Sequence, residues 1–375
     1  MSNASPHVAV IGGGIFGVSS AVHLVRRGAT VTLLTEGEFA SGASGRSLAW
    51  LNSAGRRSRP YHDLRMAGID RWRTWANRTP GSAAAVHFDG GLTWAPEGES
   101  YRERYVFERD LGYDSRWLMP DEVAAIAPGV DASKVAEEGA IFNAGEAWVD
   151  LPSVLRLLLS ELREAGATIL EHSGRCKVVV ENGRAVGAIT ASGERVKADA
   201  VVLAAGPDTP AQLAELGVHI GNDSPVAFVA FTKPVDSPLR AVLNTPNVAI
   251  RRTVDGGLAM DSAWSEESIE FGADGEPRIA DEVVERLLRE GSEVIEGHPV
   301  LELDHLGIGY KPIPGGGEPV IGGIDGVPGL YTAFSHSGAT LGLLVGELIA
   351  EEILDGRIPA LLQSFRASRY SGGVA

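Results

Sequence analysis

The six residues GGGIFG at 12–17 follow the apolar run HVAVI and precede a helix-like run, so Gly12, Gly14 and Gly17 form G-x-G-x-x-G between a strand and a helix. No other feature restricts the chain as strongly. Backbone amides and the positive end of the helix converge there with no side chain between, a surface suited to a pyrophosphate. Ala21, Leu24 and Val25 recur at helical spacing up to Gly28, and TVTLL supplies the next strand. One βαβ unit holding a dinucleotide is therefore expected. The turn by itself leaves nicotinamide and flavin dinucleotides open.

The acid that holds a ribose hydroxyl in such a unit lies about 20 residues beyond the turn. Thr35 stands at that place, with Glu36 next to it. Side chains alternate along a strand, so Glu36 cannot substitute for Thr35 while the strand stays regular. Either Thr35 bonds the ribose and Glu36 is solvated, or the strand ends at Leu34 and the turn at Gly37 swings Glu36 onto the sugar. Contact by both, with Glu36 the stronger, is the expectation.

After the polar loop ASGASGRS, a helix is expected from about Tyr61 to Trp75, with Trp72 and Trp75 in the core. Residues 85–145 read as an inserted segment of short strands (AAVHF, GLTWA, GAIFN) and a helix beginning in MPDEVAAIAP, with Asp121 as its cap. VDLPSVLRLLLSELREAGATI gives helix then strand, and the run from Cys176 gives two hairpin strands and a buried strand, ADAVVLAAG. Residues 223–304 suggest a mainly antiparallel sheet with one charged helix, and GLYTAFSHSGAT opens a final strand, loop and helix.

At 375 residues, 44% of them hydrophobic, the chain suits two or three domains with real cores. Its net charge of -16 argues against a nucleic-acid partner. Cys176 is the single cysteine, which excludes an internal disulfide, and no zinc-like spacing occurs, so no metal is expected. No run is long enough to span a membrane, and the lead MSNASP carries no positive charge. Cytoplasm is the default address.

Together with GASGRSLAWL, ADAVVLAAG, GEPVIGG and GLYTAFSHSGAT, the first unit resembles the D-amino acid oxidase (DAO) family of flavoproteins, especially its glycine oxidase and sarcosine oxidase branch. The resemblance covers about residues 7–355. It implies an α/β fold: a Rossmann-type FAD-binding domain (1–82, 145–222 and 306–365) and a mainly antiparallel-sheet substrate domain (83–144 and 223–305). Residues 366–375 read as a tail, expected to be disordered after about Arg369. It also implies FAD, carried over residue by residue. Gly12, Gly14, Ile15, Phe16 and Gly17 would form the pyrophosphate turn, Thr35 and Glu36 would meet the ribose, and Ala43 and Ser44 lie in the next loop. Arg46 would face a phosphate or a carboxylate near the ring, while Leu48, Ala49 and Trp50 would pass the flavin ring. Cys176 would sit at the adenine, Ala205 and Gly206 would end the VVLAAG strand, and His336, Ser337, Gly338, Ala339 and Thr340 would flank the pyrimidine edge. Helix N-terminal amides at that edge favour the anionic reduced ring. The sarcosine oxidase branch attaches its flavin through a cysteine near the stretch matching GIGYKP, which has none here, so FAD is expected to be non-covalent.

The resemblance further implies that an amine or amino acid loses its α-hydrogen as hydride, that the imine hydrolyses to an oxo acid and an amine, and that dioxygen becomes hydrogen peroxide. The protein would contribute positioning and electrostatics. The family's carboxylate-binding arginine falls at Lys311, a point charge in place of a fork. An assisting tyrosine falls at Val248 and a second arginine at His336. The expected substrate is glycine or an N-substituted glycine, bounded by Trp50; these departures put simple glycine in doubt and suggest a larger or differently oriented substrate with its carboxylate on Arg251 or Arg252. His336 is expected to titrate near neutral pH, and His305 to be a surface residue. Two other readings stay open: a dehydrogenase that reduces a quinone or protein acceptor, and a non-catalytic flavin-binding subunit of an amine-oxidising complex. A homo-oligomer is also left open.

Overall fold

The computed structural model describes residues 5–370. Its first sheet has six strands in the order Val320–Gly323, Leu330–Phe334, Ala200–Leu203, His7–Ile11, Thr30–Leu34 and Thr168–Leu170. All neighbours are parallel except the edge strand Val320–Gly323. Helices cover one face and the small sheet spanning residues 177–197 covers the other, so the central strands VAVI and AVVL are apolar throughout rather than alternating.

Two helices bring the nucleotide end together. Ile15–Arg26 and Gly338–Asp355 pack side by side because the second presents glycines to the first. A Cβ on Gly346 would lie 2.2 Å from the Ser19 Oγ, and one on Gly342 would lie 2.3 Å from Ile15 Cγ1. Leu151–Glu164 buries Leu151, Leu155, Leu158 and Leu162 on one stripe. Each such leucine contributes about 1.5–3 kcal/mol on leaving water. The helix expected over 61–75 runs from Arg59 to Arg78, with Trp72 and Trp75 buried as anticipated.

The second sheet has eight strands, ordered Leu303–Tyr310, Val226–Thr232, Leu258–Asp261, Ala249–Arg252, Val242–Asn244, Gly91–Thr93, Ala140–Asn143 and Ser115–Leu118. It is antiparallel except where Val242–Asn244 meets Gly91–Thr93. The helix Asp281–Glu293 lies against it through Leu287, with Val283 and Leu288 packed on the same core. Two distant segments thus build one sheet. The strand Leu303–Tyr310 crosses the expected 305/306 boundary, because its pairing with Val226–Thr232 runs through Tyr310.

Two local expectations change. The short helix is Pro120–Ile126, and Met119 rather than Asp121 precedes it: the Glu122 carboxylate accepts from the Met119 amide at 2.8 Å, leaving Asp121 in the first turn. Residues 366–370 are not a loose tail. Arg366 pairs with Glu352 at 2.8 Å and Tyr370 donates to the Gly315 carbonyl at 2.7 Å. The remainder of the expected tail, 371–375, lies outside the described residues, as does the start of the MSNASP lead.

Candidate active site

A cleft of about 710 Å³ runs from the carboxyl ends of the parallel strands to the face of the eight-stranded sheet. That volume suits a cofactor with a small substrate, and the strand-end location is where doubly wound sheets bind ligands.

At the first end the wall is backbone. Gly12 has φ +130, and a Cβ there would lie 2.1 Å from the Ala204 carbonyl oxygen. A Cβ on Gly13 would fall 2.3 Å from Thr35 Oγ1. The bare turn is therefore required by the protein itself, and it leaves a cradle that pyrophosphate oxygens fit. The Ile15 amide at the helix N-terminus donates to Ser44 Oγ at 3.0 Å, which fixes the loop carrying Ala43 and Ser44. Gly12, Gly14, Ile15 and Phe16 line the cleft, whereas Gly17 lies beneath the turn. A Cβ on Gly17 would lie 2.0 Å from the Gly12 carbonyl oxygen, so its role is close packing of helix and turn.

The strand Thr30–Leu34 ends at Leu34, and both Thr35 and Glu36 reach the cleft. Thr35 is buried, whereas Glu36 is exposed and its carboxylate makes no hydrogen bond with the described residues. Beside them lies Cys176, whose thiol burial and the Glu36 charge push up in pKa. Arg175, Asp208 and Gln212 complete this end and were not anticipated. Arg175 grips Asp208 at 2.8 and 3.1 Å, and Gln212 Nε2 donates to the same carboxylate at 2.8 Å. Arg175 lies on a separate segment from Asp208 and Gln212, and the three carry no common motif.

Along the middle run Arg46, Leu48, Ala49, Trp50, Ala205 and Gly206. Ala49 has φ 47, a left-handed conformation that costs an alanine about 1 kcal/mol. Ala49 is held there by its amide, which donates to Ser47 Oγ at 2.9 Å, and by its carbonyl, which accepts from the Val149 amide at 3.1 Å. The opposing segment carries His336, Ser337, Gly338, Ala339 and Thr340, all on the cleft. Thr340 Oγ1 donates to the Trp50 carbonyl at 3.3 Å, and Ser337 is held by Arg65 and by Tyr61 Oη at 2.6 Å. The helix N-terminus is thus fixed against the Trp50 segment.

The far end is charged. Lys311 lines the cleft but contacts Glu266 directly and lies 3.8 Å from Asp261. Burial alone would lower its pKa, yet the two carboxylates raise it, so Lys311 is a paired cation. Burial pushes Asp261 up to about 6; Lys311 opposes this rise and Glu266 adds to it. His336 is exposed on the cleft wall, and the surrounding protein partly strips its hydration. That desolvation, then Lys311, Arg65 and Arg57, lower it to about 4, so the expected titration near neutral pH is not found. Trp50 Nε1 donates to Glu146 at 2.7 Å, and Tyr113 holds the other carboxylate oxygen at 2.5 Å. Burial raises Glu146 to about 8, although both donors favour its ionised form.

Arg251 does not line the cleft. Its guanidinium donates to the carbonyls of Leu48 at 2.5 Å, Arg252 at 2.7 Å and Ser47 at 3.2 Å, which makes it a brace for the loop carrying Ser47 and Leu48 rather than a free cation in the cleft. Arg252 is likewise consumed, by the carbonyls of Ser237 and Gly256. His305 stacks on Phe231 at 4.5 Å and stays at the surface, and Val248 is buried. Arg57 is a further cleft residue that sequence reasoning passed over; it stands in the short run Arg56, Arg57, Arg59, which carries no binding motif.

Among the described residues no group of side chains could hold a metal ion, and no helix is long and apolar enough to cross a membrane. A family model described as DAO, FAD dependent oxidoreductase, matches residues 7–352. The glycine oxidase of Bacillus licheniformis is 24% identical over 96% of each chain. An opine oxidase subunit of Agrobacterium tumefaciens (strain Ach5) is 23% identical, also over 96% of each. Among solved structures, the glycine oxidase of Bacillus cereus ATCC 14579 superposes with a TM-score of 0.80 at 21% identity, covering 96% of this chain and 98% of that one.

Proposed function

This chain belongs to the DAO family of FAD-dependent oxidoreductases, enzymes of amino acids and amines, and on that premise we propose that it oxidises the carbon–nitrogen bond of an N-substituted glycine, with glycine the nearest simpler substrate. The products would be an oxo acid and an amine, formed by hydrolysis of the imine, with dioxygen reduced to hydrogen peroxide. Bound FAD supplies the two-electron acceptor for the departing α-hydrogen.

The observation that carries this reading is one continuous cleft whose first end is a bare-backbone pyrophosphate cradle and whose last end carries titratable side chains. Gly12, Gly14, Ile15 and Phe16 would hold the pyrophosphate, Glu36 and Thr35 the ribose, and Cys176 the adenine side. The segment 336–340 would bring amides of the final helix to the ring. Trp50, held by Glu146, would bound the substrate space and exclude water. FAD is held without a covalent bond. No side-chain base is required, because hydride loss from a neutral amine needs alignment above all.

Anaerobic titration of the yellow protein with glycine, sarcosine, longer N-alkyl and N-carboxymethyl glycines, and D-amino acids tests the proposal. Bleaching of the flavin absorbance by N-substituted glycines, with peroxide formed on admitting air, is the expected result. Bleaching that air does not reverse would instead support a dehydrogenase with another acceptor. A panel that leaves the flavin untouched would favour the non-catalytic flavin-binding role.

A further inference from the structure

We infer that Arg57 anchors the substrate's carboxylate, the role that sequence position would give to Lys311. The inference rests on the amino acid oxidation proposed above and assigns the orientation of the substrate within that site.

Among the described residues, each other cation on the cleft wall is already engaged. Arg46 donates to the Ile308 carbonyl, Arg104 pairs with Glu108 at 2.9 Å, and Arg175 pairs with Asp208 and Glu215. Arg65 has its fork filled by Asn52, Ser337 and Tyr61. Arg57 has no ion pair and no hydrogen-bond partner among the described residues, and its buried Nε is unsatisfied; its guanidinium rests 5.6 Å from the centroid of the Tyr61 ring. Such a group gains from a bidentate carboxylate, which replaces lost hydration.

Lys311 offers a carboxylate little. With Asp261 and Glu266 it forms a triad of net negative charge, so an anion brought there would meet two carboxylates at close range. On the other wall, Arg65 has only neutral hydrogen-bond partners, so no carboxylate offsets its charge, and it lies close enough to Arg57 to disfavour a second cation there. The same pair therefore favours an anion. The cleft is cationic where residues 57 and 65 face it and acidic where 261 and 311 do, which orients a substrate with its carboxylate toward the helix Arg59–Arg78 and its nitrogen substituent toward the eight-stranded sheet.

The test compares 2-furoate with its neutral isostere 2-furamide, neither carrying an oxidisable amine, through their perturbation of the visible spectrum of the FAD-loaded protein. The wild type should bind furoate the more tightly, and Arg57→Gln should weaken furoate about 10- to 100-fold while leaving furamide nearly unchanged. Because Arg57 supports no other residue through hydrogen bonds, Arg57→Met is a second variant with the same expectation, checked by retained FAD. The charge-neutral double variant Lys311→Gln with Glu266→Gln should keep the furoate preference. An Arg57 variant that kept that preference, a double variant that lost it, or a wild type without it would each overturn the assignment. Wild-type flavin that no amine bleaches, with the furoate preference still dependent on Arg57, would sink the oxidation reading and leave the anchor standing.

Discussion

At the Gly12 end of the cleft, the surface offered to a ligand is backbone, held by contacts in which a single added carbon would strike a carbonyl. At the Lys311 end, that surface is charged side chains whose partners are other side chains. A backbone site is specified by local conformation, so residue type and spacing suffice to read it. A side-chain site is specified by which charges are already neutralised, and those pairings join residues far apart in sequence.

The largest expected effect lies at the backbone end. Gly12→Ala would force a left-handed alanine whose Cβ lies 2.1 Å from the Ala204 carbonyl oxygen, so either the turn or the neighbouring strand must move. FAD affinity should fall by about 100-fold or more, seen as near-colourless protein after desalting, with circular dichroism separating cofactor loss from unfolding. Retention of full flavin content would show that the two ends do not differ as described.

A smaller effect is expected at the ribose. Glu36→Gln removes a charge-assisted acceptor and should weaken FAD about tenfold, measured by flavin fluorescence on titrating apoprotein, with Thr35→Val weaker in effect. The opposite ranking would assign the sugar to Thr35 and leave Glu36 to solvent.

The smallest concerns pH. The desolvation and neighbouring cations that hold His336 at about 4, below its ordinary 6.5, favour the neutral ring, which gains a proton only as pH falls through about 4. Between pH 6 and 8 its charge does not change, so His336→Gln should alter the shape of the pH profile of kcat/KM by less than about twofold, the change in His336 protonation there being negligible. Loss of an inflection near pH 7 in that variant would return the titration to His336.

Much of the nucleotide half was legible because its signals are local. The fingerprint, the short strand HVAVI and the glycine-bearing loop before the final helix each declare themselves within a dozen residues, and the cleft collects nearly all of the residues so marked. The fingerprint assigns Gly17 to the cofactor, yet it belongs to packing, since spacing alone does not tell a glycine that faces a ligand from one that faces its own turn. Nothing local marks Arg251 as other than a free strand charge, yet three backbone carbonyls from two segments claim it. Those carbonyls carry no sequence signature. Residues 366–370 look like a polar tail for the same reason, because their partners Glu352 and Gly315 lie elsewhere in the chain.

By itself the sequence determined that the chain carries a strand–turn–helix cradle suited to a dinucleotide and, through its resemblance, that its cofactor is FAD. Glycine spacing and apolar periodicity are enforced by backbone sterics, which act over a few residues. Only the tertiary structure decided that Lys311 is spent on Asp261 and Glu266, that Arg251 braces a loop and that Arg57 is left unpaired among the described residues. A cation's availability depends on every anion and carbonyl that folding brings within a few ångströms of it, and the linear order of residues does not record that proximity.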